Sequence, residues 1–152
     1  MINFKKGPAL SLHQVNYIGA AKTNEGVVAG MIVQINGDGD VVKANIGETE
    51  DSKAGIYGFA INSQTSGDVI ESGKIGVYAL DGASVVETDQ TGSTTINETN
   101  FPVGALLAAT AGQVVKVDSD WVGKVIGQVE GIRVIPRGSQ PSVTVLGVKL
   151  FS

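Results

Sequence analysis

The sequence contains no cysteine and a single histidine, His13. These shortages exclude disulfides, thiolate metal sites, a cysteine nucleophile and any multi-histidine zinc site. Aromatics make up only 5% and charged residues 17% of the chain. No apolar run approaches the roughly 20 residues that a membrane-spanning helix needs, so no membrane partner is expected. The opening MINFKKGPALSLHQ has two lysines without an apolar stretch behind them, and does not read as a secretory signal. What is present is apolar and small. At 42% hydrophobic residues the chain is too apolar for disorder, and 152 residues suit one domain or two small ones sharing a core.

Glycine placement argues against helices. The 21 glycines leave Gly-free stretches of at most 11 residues, 8–18 and 93–103, and each of these contains a proline. A mid-helix glycine costs about 1 kcal/mol relative to alanine and a proline about 3. The 21 Val and 13 Ile against 7 Leu favour a pleated surface. Strands are expected over 27–35, 40–45, 55–61, 68–71, 74–79, 83–88, 103–109, 113–118, 123–130, 132–136 and 142–151. Asn-Gly, Asp-Gly and Ser-Gly signals separate most of them. Residues 89–100 (DQTGSTTINETN) read as a loop. The fold class is therefore all-β, a small β-barrel or β-sandwich.

One pattern occurs twice. GMIVQINGDGDVVKA at 30–44 and GALLAATAGQVVKV at 104–117 share a glycine, an apolar run, a turn and Val-Val-Lys. GIYGFA at 55–60 and KVIGQV at 124–129 follow at similar offsets. Residues 26–88 and 101–152 are thus candidate repeats within one body, 25–152.

Charge divides the chain further. Met1–Lys22 carries three lysines and no acid, residues 26–100 are net −8, and residues 101–152 are net +2. Residues 1–24 read as an extended N-terminal arm. Phe4, Lys5, Lys6, Leu10, Leu12, His13 and Tyr17 are its candidate partner-binding residues, able to dock on an acidic surface with salt-sensitive contacts. A net charge of −4 without a basic stripe disfavours nucleic acid.

Catalytic signals are weak. Asn36-Gly37-Asp38-Gly39-Asp40 begins like a calcium loop but lacks the glycine and the glutamate that complete one, and reads as a hairpin turn. Asp118-Ser119-Asp120 reads the same way. Gly19–Thr23 lacks the spacing of a phosphate loop. Trp121 is a core plug, an interface anchor or a sugar platform. No enzyme activity, cofactor or metal is expected from these residues.

The duplicated texture resembles tailed-bacteriophage capsid decoration (cement) proteins. It is carried by Val28–Val33, Val41–Ala44 and Ile56–Ala60, then by Pro102–Leu107, Val114–Val117 and Val125–Val129. The similarity covers 26 to about 150. It implies a structural protein on the outer surface of the virion, bound to the major capsid protein and often trimeric, with an arm touching the shell. A phage tail or fibre component and a carbohydrate-binding β module are the alternative readings.

Overall fold

The computed structural model describes residues 1–6, 17–21, 24–45, 57–64, 73–121 and 123–151. Their strands are β1 (Ile2–Lys6), β2 (Tyr17–Ala20), β3 (Ile32–Ile35), β4 (Val41–Lys43), β5 (Tyr57–Ala60), β6 (Lys74–Ala79), β7 (Val85–Thr88), β8 (Leu106–Thr110), β9 (Gln113–Lys116), β10 (Gly127–Arg137) and β11 (Gln140–Leu150). The protein is all-β, with two sheets of antiparallel ladders in the orders β1-β7-β11-β10-β8-β9 and β2-β6-β5-β3-β4. The strand expected at 68–71 lies outside the described residues. Residues 89–100 hold only one isolated bridge, at Thr91.

The turns follow from glycine where the chain needs it. Thr110 and Gln113 pair across Ala111-Gly112, both at positive φ (50° and 81°), the mirror-image turn whose twist suits a tight hairpin. Between β6 and β7, burial alone would push the Asp81 carboxyl up. Hydrogen bonds from the Ser84 hydroxyl and amide, the Ala83 amide and the Tyr78 hydroxyl outweigh it and hold that carboxyl below its usual range.

The two sheets repeat one ladder. Val33 faces Gly58 and Lys43, as Leu107 faces Gly127 and Lys116. Gly58 faces Ala79 as Gly127 faces Leu150, and Gly76 faces Ile18 as Gly147 faces Glu87. Loop bonds recur as well. Gly30 N donates to Ala60 O (2.8 Å) and Gly104 N to Val129 O (2.9 Å), while Ala44 N donates to Ile32 O and Val117 N to Leu106 O, both at 3.0 Å. Each sheet curls until its last strand meets the chain just beyond β2 or β7, through the parallel bridges Ala21–Val41 and Thr91–Val114. The equivalent blocks are therefore 17–79 and 85–150, and β1 is an extra strand on the outside of β7. This division differs from 26–88 and 101–152: β7 opens the second block, and β2 takes the matching place in the first.

Burial repeats too. One apolar cluster gathers Val27, Val33, Val41, Ala60, Ile75 and Val77. Their counterparts Phe101, Leu107, Val114, Val129, Leu146 and Val148 lie in the other cluster, joined there by Ile32, Phe59 and Tyr78 of the first block. The larger side chains of the second block thus share a core with the first, and that common core makes the chain one body.

Residues 2–6 and 17–20, expected as arm, are ladder strands. For the first of them the reason is period-two alternation in Ile2-Asn3-Phe4-Lys5. Asn3 and Lys5 reach carboxylates of the body while β1 pairs with β7.

Gly30 and Gly104 hold the same left-handed conformation, φ 93° and 85°. Their surroundings differ. A Cβ on Gly30 would sit 2.2 Å from Met1 O and 2.6 Å from Thr88 Oγ1, whereas one on Gly104 meets nothing within 4 Å. Gly104→Ala is expected to cost only the left-handed penalty, about 1–2 kcal/mol. Gly30→Ala is expected to cost clearly more, because it also displaces β1 and the bond from Thr88 Oγ1 to Gly30 O. Denaturant titration of the two variants measures the difference.

Candidate functional site

The longest strands extend beyond their sheet. β10 pairs with β8 only at Gly127 and Gln128, and β11 with β7 only over Leu146–Lys149. From Ile132 to Val145 the two strands pair with each other, and no third described strand joins them. The result is a two-stranded ribbon turning at Gly138-Ser139. Val134 on one of its faces is 56% exposed. The opposite face carries Arg133 and Ile135, which with Met1, Ile2 and Asn3 line a hollow of about 210 Å³.

Composition sets this ribbon apart. Both arginines of the chain, Arg133 and Arg137, lie on it, and residues 131–146 contain no acid. Pro136 and Pro141 also sit here, close to the turn. A proline has no N–H to offer a neighbouring strand, so these positions resist edge-to-edge sheet extension.

A charged network fixes its base. Arg133 Nη2 and Nε donate to the two Glu87 carboxylate oxygens at 2.6 and 2.9 Å, and Asn3 Nδ2 donates to Glu87 at 2.8 Å. The Glu87 side chain is only 1% exposed. The Arg133 bonds hold its carboxyl below the usual range against the upward push of burial, helped by the Asn3 bond and the nearby Lys5 charge. The same pairing raises the Arg133 guanidinium further. Beside it, Lys5 Nζ meets Glu130 at 3.1 Å. Glu130 occupies the bulge between Val129 and Gly131, and Gly147 leaves room for its carboxylate: a Cβ there would lie 2.7 Å from Glu130 Oε2.

The expected arm residues are dispersed. Phe4 and Lys6 are in β1 opposite Val86 and Val85, and Tyr17 is in β2 opposite Val77. Lys5 pairs with Glu130 within the chain. Leu10, Leu12 and His13 lie outside the described residues. The ribbon was not singled out from sequence, although its paired prolines and isolated arginines were visible.

Other sequence candidates have structural work. Asn36 Oδ1 accepts from the Asp38 and Asp40 amides, closing the β3–β4 turn. Among the described residues no three His, Cys, Asp or Glu side chains gather to hold a metal ion. Trp121 is half-buried after the Asp118 turn, and its indole N–H is enclosed without a partner among the described residues. A second hollow, about 310 Å³, is lined by Gly92, Ser93, Thr99, Asn100, Phe101, Val115 and Lys116. No family description, curated protein or solved structure matches this chain.

Proposed function

We propose that this protein is a structural component of a tailed-phage virion. In this reading it binds the outer face of the capsid shell through the major capsid protein and reinforces it, acting as an assembly of several copies, with three favoured. The supporting observation is the β10–β11 ribbon, an acid-free projection that offers Val134 and Arg137 and is anchored by the bonds of Arg133 to the buried Glu87. Arginine beside exposed apolar area is the composition enriched where proteins bind proteins. The resemblance of residues 26–150 to decoration proteins supplies the partner.

The test is co-sedimentation with expanded, undecorated capsids. Val134→Glu and Arg137→Glu, both at exposed ribbon positions, are expected to weaken binding at least tenfold with the melting temperature unchanged. Unchanged binding by both variants would remove the ribbon from the proposal. Deleting residues 1–20 is a poor substitute, since it strips β1 and β2 from the two sheets.

A further inference from the structure

The first block carries a carboxylate at a place where the second block has a hollow. Glu25 Oε1 accepts from Lys43 N at 2.8 Å. Lys43 faces Val33 in the ladder, and Ala44 N bonds Ile32 O, so the Lys43 amide lies on the outer edge of β4, away from β3. Glu25 thus caps an edge amide. The Lys43 side chain runs back beside it, its Nζ 3.6 Å from where a Gly26 Cβ would stand.

The second block repeats this edge without the acid. Lys116 faces Leu107 as Lys43 faces Val33, and Val117 N bonds Leu106 O as Ala44 N bonds Ile32 O. The Lys116 amide therefore points away from β8, on the edge where Val114 N donates to Gln90 O at 2.9 Å. Carrying the 74-residue offset between Gly30 and Gly104 back to Glu25 brings Thr99 to the corresponding place, and Asn100 to that of Gly26. Thr99, Asn100 and Lys116 line the hollow of about 310 Å³. Glu98, the acid next to Thr99, is exposed and is not part of that lining.

The loop on the other side of the hollow fixes its own shape. Thr91 Oγ1 donates to Ser93 O at 2.7 Å, and Ser93 Oγ to Thr95 O at 3.0 Å. Asn100 Nδ2 donates to Thr95 O at 2.9 Å and to Ser93 Oγ at 3.2 Å, and Asn100 N donates to Asn97 Oδ1 at 2.8 Å. With its amide hydrogens used in this way, Asn100 has Oδ1 to present to a ligand hydroxyl. Phe101 and Val115 add apolar surface to the same lining. A preformed wall with a few placed polar groups beside apolar surface is the usual make-up of a small-molecule site, and it needs little ordering when the ligand arrives.

We infer that this hollow binds a sugar acid, a pyranose ring bearing a carboxylate. The carboxylate takes the place that Glu25 holds in the first block, accepting from Lys116 N with the Lys116 ammonium beside it. Charge-assisted bonds of this kind are about twice as strong as neutral ones. The hollow exceeds what a carboxylate alone fills. The remaining space suits the ring, set against Phe101 and Val115, with its hydroxyls on Thr99 Oγ1 and Asn100 Oδ1. The ribbon takes no part in this site, so the inference does not depend on the virion reading.

An NMR titration of the isotopically labelled full chain with glucuronate tests it. The expected result is a saturable shift of the Lys116 amide and of the loop 92–100, with a dissociation constant on the order of 1 mM. Glucose, which lacks the carboxylate, and glutamate, which lacks the ring, are each expected to bind about tenfold more weakly or worse. Lys116→Met is expected to weaken glucuronate binding about tenfold. Thr99→Glu supplies the second block with its own carboxylate. It is expected to abolish glucuronate binding and to raise the melting temperature by about 2–4 °C, which a merely disruptive substitution would not do. No saturable shift, equal binding of glucose or glutamate, unaltered affinity in Lys116→Met, or a Thr99→Glu variant that still binds glucuronate or melts no higher than the wild type overturns the inference.

Discussion

Gly58→Ala and Gly127→Ala are each expected to lower the melting temperature by roughly 6–12 °C. The two glycines are counterparts in the central strands of their blocks, β5 and β10, and each is flanked by a paired strand on both sides. A Cβ on Gly58 would lie 2.4 Å from Tyr78 O and 2.7 Å from Val77 Cγ1. On Gly127 it would lie 2.3 Å from Lys149 O and 2.9 Å from Val148 Cγ1. Backbone oxygens in a ladder cannot rotate away, so the strands must separate. Overpacking of this kind costs about 3 kcal/mol. At 2–4 °C per kcal/mol for a chain of this size, the range above follows. Gly37→Ala, at an exposed turn where a Cβ would meet nothing within 4 Å, is the control expected to change little. Differential scanning calorimetry of the three variants checks the prediction.

Arg133→Ala is expected to destabilise the protein strongly at pH 7 and progressively less as pH falls below the ordinary glutamate range. It strands the Glu87 carboxylate, 1% exposed, with Asn3 as its remaining side-chain partner. Removing the partner of a buried carboxylate leaves an uncompensated charge, which costs more than the pair contributes. Glu87→Gln is the milder change at pH 7, because the Arg133 side chain is 46% exposed and water can solvate it. The pH dependence follows from the direction of the Glu87 shift. Its folded carboxyl titrates below its ordinary value, so the unfolded chain binds the proton first as pH falls. The stabilisation is present above the unfolded pKa near 4.3 and is lost as pH drops through the lower, folded value. Glu87→Gln is therefore expected to flatten the wild-type acid limb of stability. Urea titrations at pH 7, 4 and 3 measure both effects, and equal losses for Arg133→Ala at all three would contradict this account of the pair.

The legible part of the fold was local. Val-Val-Lys at 41–43 and 114–116 marked β4 and β9, and the glycines of 58 and 127 marked the central strands, because those positions repeat residue for residue. The matching strands β2 and β7 carry Tyr-Ile-Gly-Ala and Val-Val-Glu-Thr, with nothing in common but their place in the ladder. No sequence echo could pair them. Gly131 split one long strand into the expected 123–130 and 132–136, whereas the bulge at Glu130 lets β10 run through it. The ion pair of Lys5 was illegible for a similar reason. Its partner Glu130 lies 125 positions away, and only the register of β1 on β7 brings the two together. Arg133 and Glu87 are 46 apart and equally invisible to spacing. Within the acid-free stretch Met1–Lys22, Lys5 thus meets its counter-charge in a distant part of its own chain. The ribbon, whose anchoring arginine is also spoken for, keeps Arg137 at its exposed end.

Cryo-electron microscopy of expanded, undecorated capsids incubated with the protein tests the virion reading most directly. The expected result is ordered density at fixed lattice positions on the outer surface, with the tip of the β10–β11 ribbon at the shell. Bare shells at saturating protein, or density confined to tails, would contradict it.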